Sequence, residues 1–194
     1  MTDTALPAAA RERFSGLTIF LHWFMLLLLV GIYATIELRE LFPRGSDPRE
    51  AMKAWHFMLG LSVLAFLACR LVARLAGSTP PIVPAPARWQ HVVARAAHAA
   101  LYLFLLAMPI LGWLALSAEG DAISLFGLPV PPLVAPDEAL AERVEELHEL
   151  GGTIGYFLIG MHAIAALAHH YLVRDNTLLR MLPGRGEGTP APLP

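Results

Sequence analysis

The sequence predicts an all-α integral membrane protein, a bundle of four spanning helices. Hydrophobic residues make up 56% of the 194 positions and charged residues only 15%. With a mean hydropathy of +0.56, such a chain has lipid as its natural solvent. Four apolar segments each reach the roughly 20 residues of helix that cross a hydrocarbon core of about 30 Å. The connectors between them carry the prolines and most of the charges.

Helices are expected at residues 17–38, 54–75, 92–117 and 143–173. The first is an uninterrupted apolar run. Between the second and third lies GSTPPIVPAPAR, whose prolines favour an extended connector. Pro109 falls inside the third helix, where it removes a backbone donor and can kink the chain. The stretch GLPVPPLVAP then reads as a loop, and helical character returns after Pro136 with Asp137 as N-cap. EELHE at residues 145–149 is too polar for hydrocarbon, so the fourth helix should begin above the membrane. Residues 1–183 are expected to form one domain and 184–194 a flexible tail, and there is no internal repeat. The N-terminal MTDTALPAAARERFSG lacks the charged start and apolar core of a cleaved signal peptide, leaving insertion to the first helix. A lone cysteine, Cys69, excludes an intramolecular disulfide and a cysteine metal site, and reads as packing.

Four spans put both ends of the chain on one side. That side holds Arg11, Arg13, Arg70, Arg74, Arg88, Arg95, Arg174, Arg180 and Arg185. The opposite side holds Arg39, Arg44, Arg49, Lys53 and Arg143, with twelve of the sixteen acids. By the positive-inside rule both termini are expected in the cytoplasm, and the protein in the inner membrane of a bacterium.

Histidine is costly in a bilayer and tends to face a bundle interior or a functional path. Fourteen residues separate His148 from His162, an advance of about 21 Å with a rotation about 40° short of four turns, so both rings leave one face. The same stripe continues through Gly155 to His169. His22 on the first helix matches the depth of His162, and His56 at the outer start of the second matches His148. Two imidazoles from facing helices form the ligand set of a six-coordinate b-type haem with no open position for a gas. The plain alternative is that such histidines hydrogen-bond neighbouring helices. Zinc fits less well, because it wants four ligands clustered at one depth. Gly155 either gives a macrocycle room or serves a close helix contact through the small-residue pattern GGTIG.

The stretches LTIFLHW, AWHFMLGLSVLAFLACRLVARL, STPPIVPAPA and LHELGGTIGYFLIGMHAIAALAHHYLVRDNTLLRMLP resemble the bacterial four-helix cytochrome b561 family, most closely its superoxide-oxidising members. The likeness spans Phe14 to Pro183. It implies a four-helix bundle with two haems b, ligated at the positions matching His22, His56, His148 and His162. It further implies an oxidoreductase that takes electrons from superoxide on the outer face and delivers them to ubiquinone near the inner one.

Arg39, Arg44, Arg49 and Lys53 are placed to pair with outer haem propionates or attract an anion, unless they are ordinary solvated loop charges. Against them stand Asp137, Glu138, Glu142, Glu145, Glu146 and Glu149, whose field repels superoxide but suits a basic redox partner. The rival reading is accordingly an electron-carrier or anchor subunit linking a partner protein to quinone. At the inner end His169 is expected to serve a quinone headgroup as hydrogen-bond donor and proton source, in one pocket with His98, Phe14 and Ser15, while His170 turns away. A contact with lipid headgroups or a propionate is the plainer role for His169. Counted from Arg95, His98 should lie too near the cytoplasmic edge to reach His162. No Ser/His/Asp constellation, nucleotide loop or nucleic-acid patch is present.

Overall fold

The computed structural model describes residues 13–184. The expectations for a leader before Arg13 and for the tail, apart from Gly184, lie outside them. Four long helices run α1 Gly16–Leu38, α2 Asp47–Ala76, α3 Arg88–Glu119 and α4 Glu138–Ala168. All four are long and apolar enough to cross a membrane, which makes the chain a multi-pass membrane protein.

The helices begin earlier than the apolar runs do, because their first turns stand in water and are built from polar residues. α2 opens seven residues before the expected Ala54, with Pro48 in the first turn and the acids Asp47 and Glu50 facing the positive end of the helix dipole. α3 opens at Arg88, where the Gln90 side chain accepts a hydrogen bond from the Ala87 N–H at 2.7 Å. Asp137 caps α4 as expected, accepting from the Leu140 N–H at 3.0 Å. Pro109 is buried inside α3, and the helix continues through it.

Leu17, Phe20, Leu27, Leu103, Phe157 and Met161 point outward, each more than half exposed. In lipid such side chains gain nothing by leaving the surface, so close packing holds the bundle. At mid-depth Met25 and Leu28 of α1, Val63 and Leu67 of α2 and Leu105 of α3 form its buried centre, with the Phe24 and Phe66 rings 4.6 Å apart beside it. Small residues admit neighbours: Gly151 faces the Met108 thioether, and Gly155 faces the Tyr33 hydroxyl and the Phe104 ring. Of the two roles expected for Gly155, the close helix contact is the one found.

The loop after α3 holds a small hairpin, β1 Ser124–Leu125 with β2 Leu128–Pro129. Its two turn residues, Phe126 and Gly127, have φ of 51° and 86°, the pattern of the tight turn that suits the twist of a hairpin. Phenylalanine is unusual there, and its ring lies 6.5 Å from that of Trp55.

At the end bearing the termini, α4 does not run to residue 173 as a regular helix. His169–Val173 form a π-helical turn, and Arg174 follows in the left-handed region at φ 60°. The chain then doubles back as a strap, residues 174–182, across the bundle end. Asn176 binds the α2–α3 connector three times: its N–H donates to the Val83 carbonyl (3.1 Å), its side-chain oxygen accepts from the Val83 N–H (2.8 Å), and its amide donates to the Pro81 carbonyl. Trp23 donates to the Met181 carbonyl at 2.7 Å, and the Phe14 N–H donates to the Arg180 carbonyl.

Candidate electron-transfer site

The four helices bring the expected histidines together in two pairs. His22 of α1 and His162 of α4 have ring centroids 6.1 Å apart with planes inclined by 77°. His56 of α2 and His148 of α4 stand 6.1 Å apart at 76°. Two imidazole nitrogens each about 2 Å from one metal atom place their ring centroids about 6 Å apart. Both pairs therefore have the spacing of two histidines that would hold one metal atom between them. Among the described residues no group of three or more His, Cys, Asp or Glu is poised to hold a metal. A pair of imidazoles alone is the protein donor set for a metal whose other four ligands come from a planar macrocycle.

The surroundings fit such a group. A cavity of about 490 Å³, within the range of cofactor pockets, is lined by His56 and His148 among others. Gly112 of α3 keeps its wall open beside His148, whose Cε1 would lie 3.2 Å from an added Cβ. The His56 Nδ1–H donates to the Ile32 carbonyl at 3.1 Å, which fixes the tautomer and leaves Nε2 free to ligate. His148 Nδ1 is buried without a hydrogen-bond partner. Beside the inner pair the Arg70 Nη1 is likewise buried and unpaired, a cation able to meet a propionate.

Charges at the mouth of the outer cavity are mixed. Arg39 and Lys53 line it together with Glu37, Glu119, Glu145 and Glu149. Lys53 lies 3.6 Å from Glu119 and 3.5 Å from Asp121, and Arg49 turns to Glu40 at 2.7 Å. Tyr156 donates to Glu37 at 2.6 Å, with its ring 4.2 Å from that of Tyr33. Neither tyrosine was singled out from sequence, where a phenol in an apolar run reads as packing.

At the inner end one expectation is corrected. The His98 ring stands 5.6 Å from that of His162: α3 begins at Arg88, before the expected residue 92, and Arg95 does not mark the end of the bundle from which depth can be counted. His98 thus lies ten residues, about 15 Å, along its helix. Its Nδ1–H donates to the Ala94 carbonyl at 2.6 Å. The Ser15 hydroxyl is engaged as N-cap of α1, accepting from the Thr18 N–H at 3.2 Å and meeting the Thr18 hydroxyl at 2.9 Å. No hydrogen bond joins Ser15, His98 and His169 among the described residues. His169 bonds Asp175 instead, at 2.6 Å, while the His170 ring packs 4.7 Å from that of Tyr171.

A membrane bundle with two histidine pairs stacked at two depths defines the class of intramembrane electron carriers. The sequence matches the family described as prokaryotic cytochrome b561 over residues 13–184. It is 42% identical over 174 residues to cytochrome b561 homolog 1 of Escherichia coli (strain K12), covering 90% of this chain and 99% of that one. It is 40% identical over 172 residues to the probable superoxide oxidase CybB of Yersinia pestis, covering 89% and 97%. Cytochrome b561 homolog 2 of Escherichia coli (strain K12) is 30% identical over 172 residues, covering 88% and 92%. The chain belongs to the prokaryotic cytochrome b561 family. It is a membrane electron-transfer protein of the oxidoreductase kind, and the family implies binding of haem b.

Proposed function

We propose that this protein oxidises superoxide to oxygen at its outer face and passes the electrons to ubiquinone near its inner face. The observation that carries the reading is the repetition of one histidine-pair geometry at two depths, 6.1 Å at both. In this reading His22 and His162 hold one haem b, and His56 and His148 hold a second. Bound there, haem b would supply one-electron storage and transfer. Superoxide yields one electron, whereas a quinone takes two electrons and two protons, so two sites in series match the donor to the acceptor. Likeness to a probable superoxide oxidase supports the choice of donor.

The chain's own residues carry the rest. Arg39 and Lys53 at the outer cavity attract the anion. His169 at the inner end hydrogen-bonds the quinone carbonyl and provides a proton, with His98 and Ser15 bordering the same region. By the distribution of arginines, the protein lies in the bacterial inner membrane with both termini cytoplasmic.

A second reading is favoured by the acids at the cavity mouth. Glu37, Glu119, Glu145 and Glu149 outnumber the two basic residues there, which suits a basic redox protein as donor and makes this chain its membrane anchor. The deciding experiment supplies an enzymatic source of superoxide and ubiquinone to the purified holoprotein alone. Quinol formation that superoxide dismutase suppresses is the expected result. Quinol formed only after a soluble redox protein is added would overturn the first reading in favour of the second.

A further inference from the structure

Asp175 sits at the inner end with 4% of its surface exposed, and both its carboxylate oxygens and its N–H are engaged. Its Oδ2 lies 2.6 Å from His169 Nδ1, and its Oδ1 accepts from the Thr177 N–H at 2.8 Å. Its own N–H donates to the His169 carbonyl at 3.1 Å. In a regular helix, residues six apart are separated by about 9 Å and about 240°. The π turn at His169–Val173 and the left-handed Arg174 bring this carboxylate back beneath the ring. Burial alone would raise the Asp175 carboxyl, but the hydrogen bonds from His169 and Thr177 outweigh it and hold the group below the usual carboxylate range. An ionised carboxylate only accepts, so the shared hydrogen is on His169 Nδ1.

The strap has anchors besides this bond. Asn176 anchors it to the α2–α3 connector, and Arg180 bonds the Pro80 carbonyl. The titratable and charged groups facing Asp175 are His169 and Arg180, with Arg74 beyond, and the Phe14 ring lies 5.3 Å from Arg74 and 5.5 Å from Arg180.

We infer that Asp175 is a positioning residue for the electron acceptor: by holding His169 Nδ1–H it fixes the ring and commits Nε2 to the quinone carbonyl. The inference rests on the reading of His169 as part of the quinone site. When Nε2 delivers its proton to a carbonyl oxygen, the ring becomes neutral and keeps its remaining hydrogen on Nδ1, facing Asp175. Nε2 then recovers a proton from water at the bundle end. Without the carboxylate neither the ring's orientation nor its Nδ1–H is held, so Nε2 is no longer kept facing the carbonyl as the nitrogen that gives up and regains the proton. The logic is that of an oriented metal-ligand histidine, where losing the orienting group costs about 10–100-fold.

The experiment compares Asp175→Asn, Asp175→Glu, His169→Ala and, as a control on the strap, Asn176→Ala, all as haem-loaded protein. Steady-state ubiquinone reduction is read together with ¹⁵N signals of histidine in the reduced state, which report the tautomer. The expected results for Asp175→Asn are a kcat lower by about 10-fold or more, a KM that changes less, unaltered haem content, and loss of the Nδ1–H signature. Asp175→Glu recovers part of the rate, and Asn176→Ala keeps the signature. If His169→Ala cripples quinone reduction while Asp175→Asn leaves kcat and tautomer unchanged, the inference about Asp175 fails alone. If His169→Ala is itself silent, the quinone-site reading fails, and the inference with it. Equal losses in Asp175→Asn and Asn176→Ala, with the tautomer unchanged, would reduce Asp175 to a strap residue and overturn the proposal.

Discussion

His98 and His162 stand with ring centroids 5.6 Å apart, closer than His162 stands to His22 at 6.1 Å. Three histidines thus meet at the inner site, where the outer site has two. Geometry separates their roles: the His22–His162 pair repeats the spacing and inclination of His56–His148 almost unchanged, whereas His98 is exposed on α3. Replacing His98 with alanine should leave two haems per chain, and only its quinone kinetics should change. A purified His98→Ala protein with half the wild-type haem would make His98 the ligand.

Tyr33 reaches across to α4 to donate to the Gly152 carbonyl at 2.8 Å, and its hydroxyl occupies the space a Cβ at Gly155 would need. Gly160, five residues on, has open space. Alanine stabilises a helix by about 1 kcal/mol over glycine, while overpacking costs about 1–3 kcal/mol. The two substitutions should therefore move thermal stability in opposite directions, Gly155→Ala down and Gly160→Ala up. Melting curves followed by haem absorbance check this, and a rise at Gly155 would mean that α1 and α3 do not close on it.

Acid should loosen the inner end before the rest of the bundle. The Asp175 carboxyl is held below its ordinary value, burial opposing but its hydrogen bonds prevailing. A depressed carboxylate contributes stability that is fully present above the unfolded value of about 3.9 and is lost as pH falls through the folded one. The Thr177 amide, bonded to Asp175 Oδ1, should lose protection from hydrogen exchange below about pH 4, once the intrinsic exchange rate is allowed for. In Asp175→Asn that acid limb should vanish. Protection that persists in wild type to lower pH would show that the strap holds without the charge.

The approach of superoxide should depend on salt. If Arg39 and Lys53 govern entry to the outer cavity, the oxidation rate falls as ionic strength rises, because screening sets in over about 8 Å at physiological salt. Lys53→Gln should lower the rate at low salt and flatten its salt dependence. A wild-type rate that rises with salt would assign control to Glu37, Glu119, Glu145 and Glu149.

The four spans and both histidine pairs were legible because each rests on a signal that survives folding: apolar length, and histidine depth counted along a regular helix. The failures come where that regularity ends. Polar first turns hid the early starts of α2 and α3, and counting depth from Arg95, which lies inside α3, displaced His98. The hairpin at 124–129 turns on Phe126 in a conformation typical of Asn or Gly, so its turn carried no composition cue. The His169–Asp175 contact depends on a π turn that nothing in HHYLV announces. Gly155 offered two equal readings, and only the placed side chains of Tyr33 and Phe104 distinguish them.

In the proposed function two histidine pairs hold two haems, one at each depth. A pyridine haemochrome determination on the purified protein and its four histidine variants tests it most directly. It should return two haems b per chain in wild type and one in each variant. The spectrum lost in His56→Ala should match that lost in His148→Ala, and the spectrum lost in His22→Ala should match that lost in His162→Ala. One haem per wild-type chain, or losses grouped across these pairs, would contradict it.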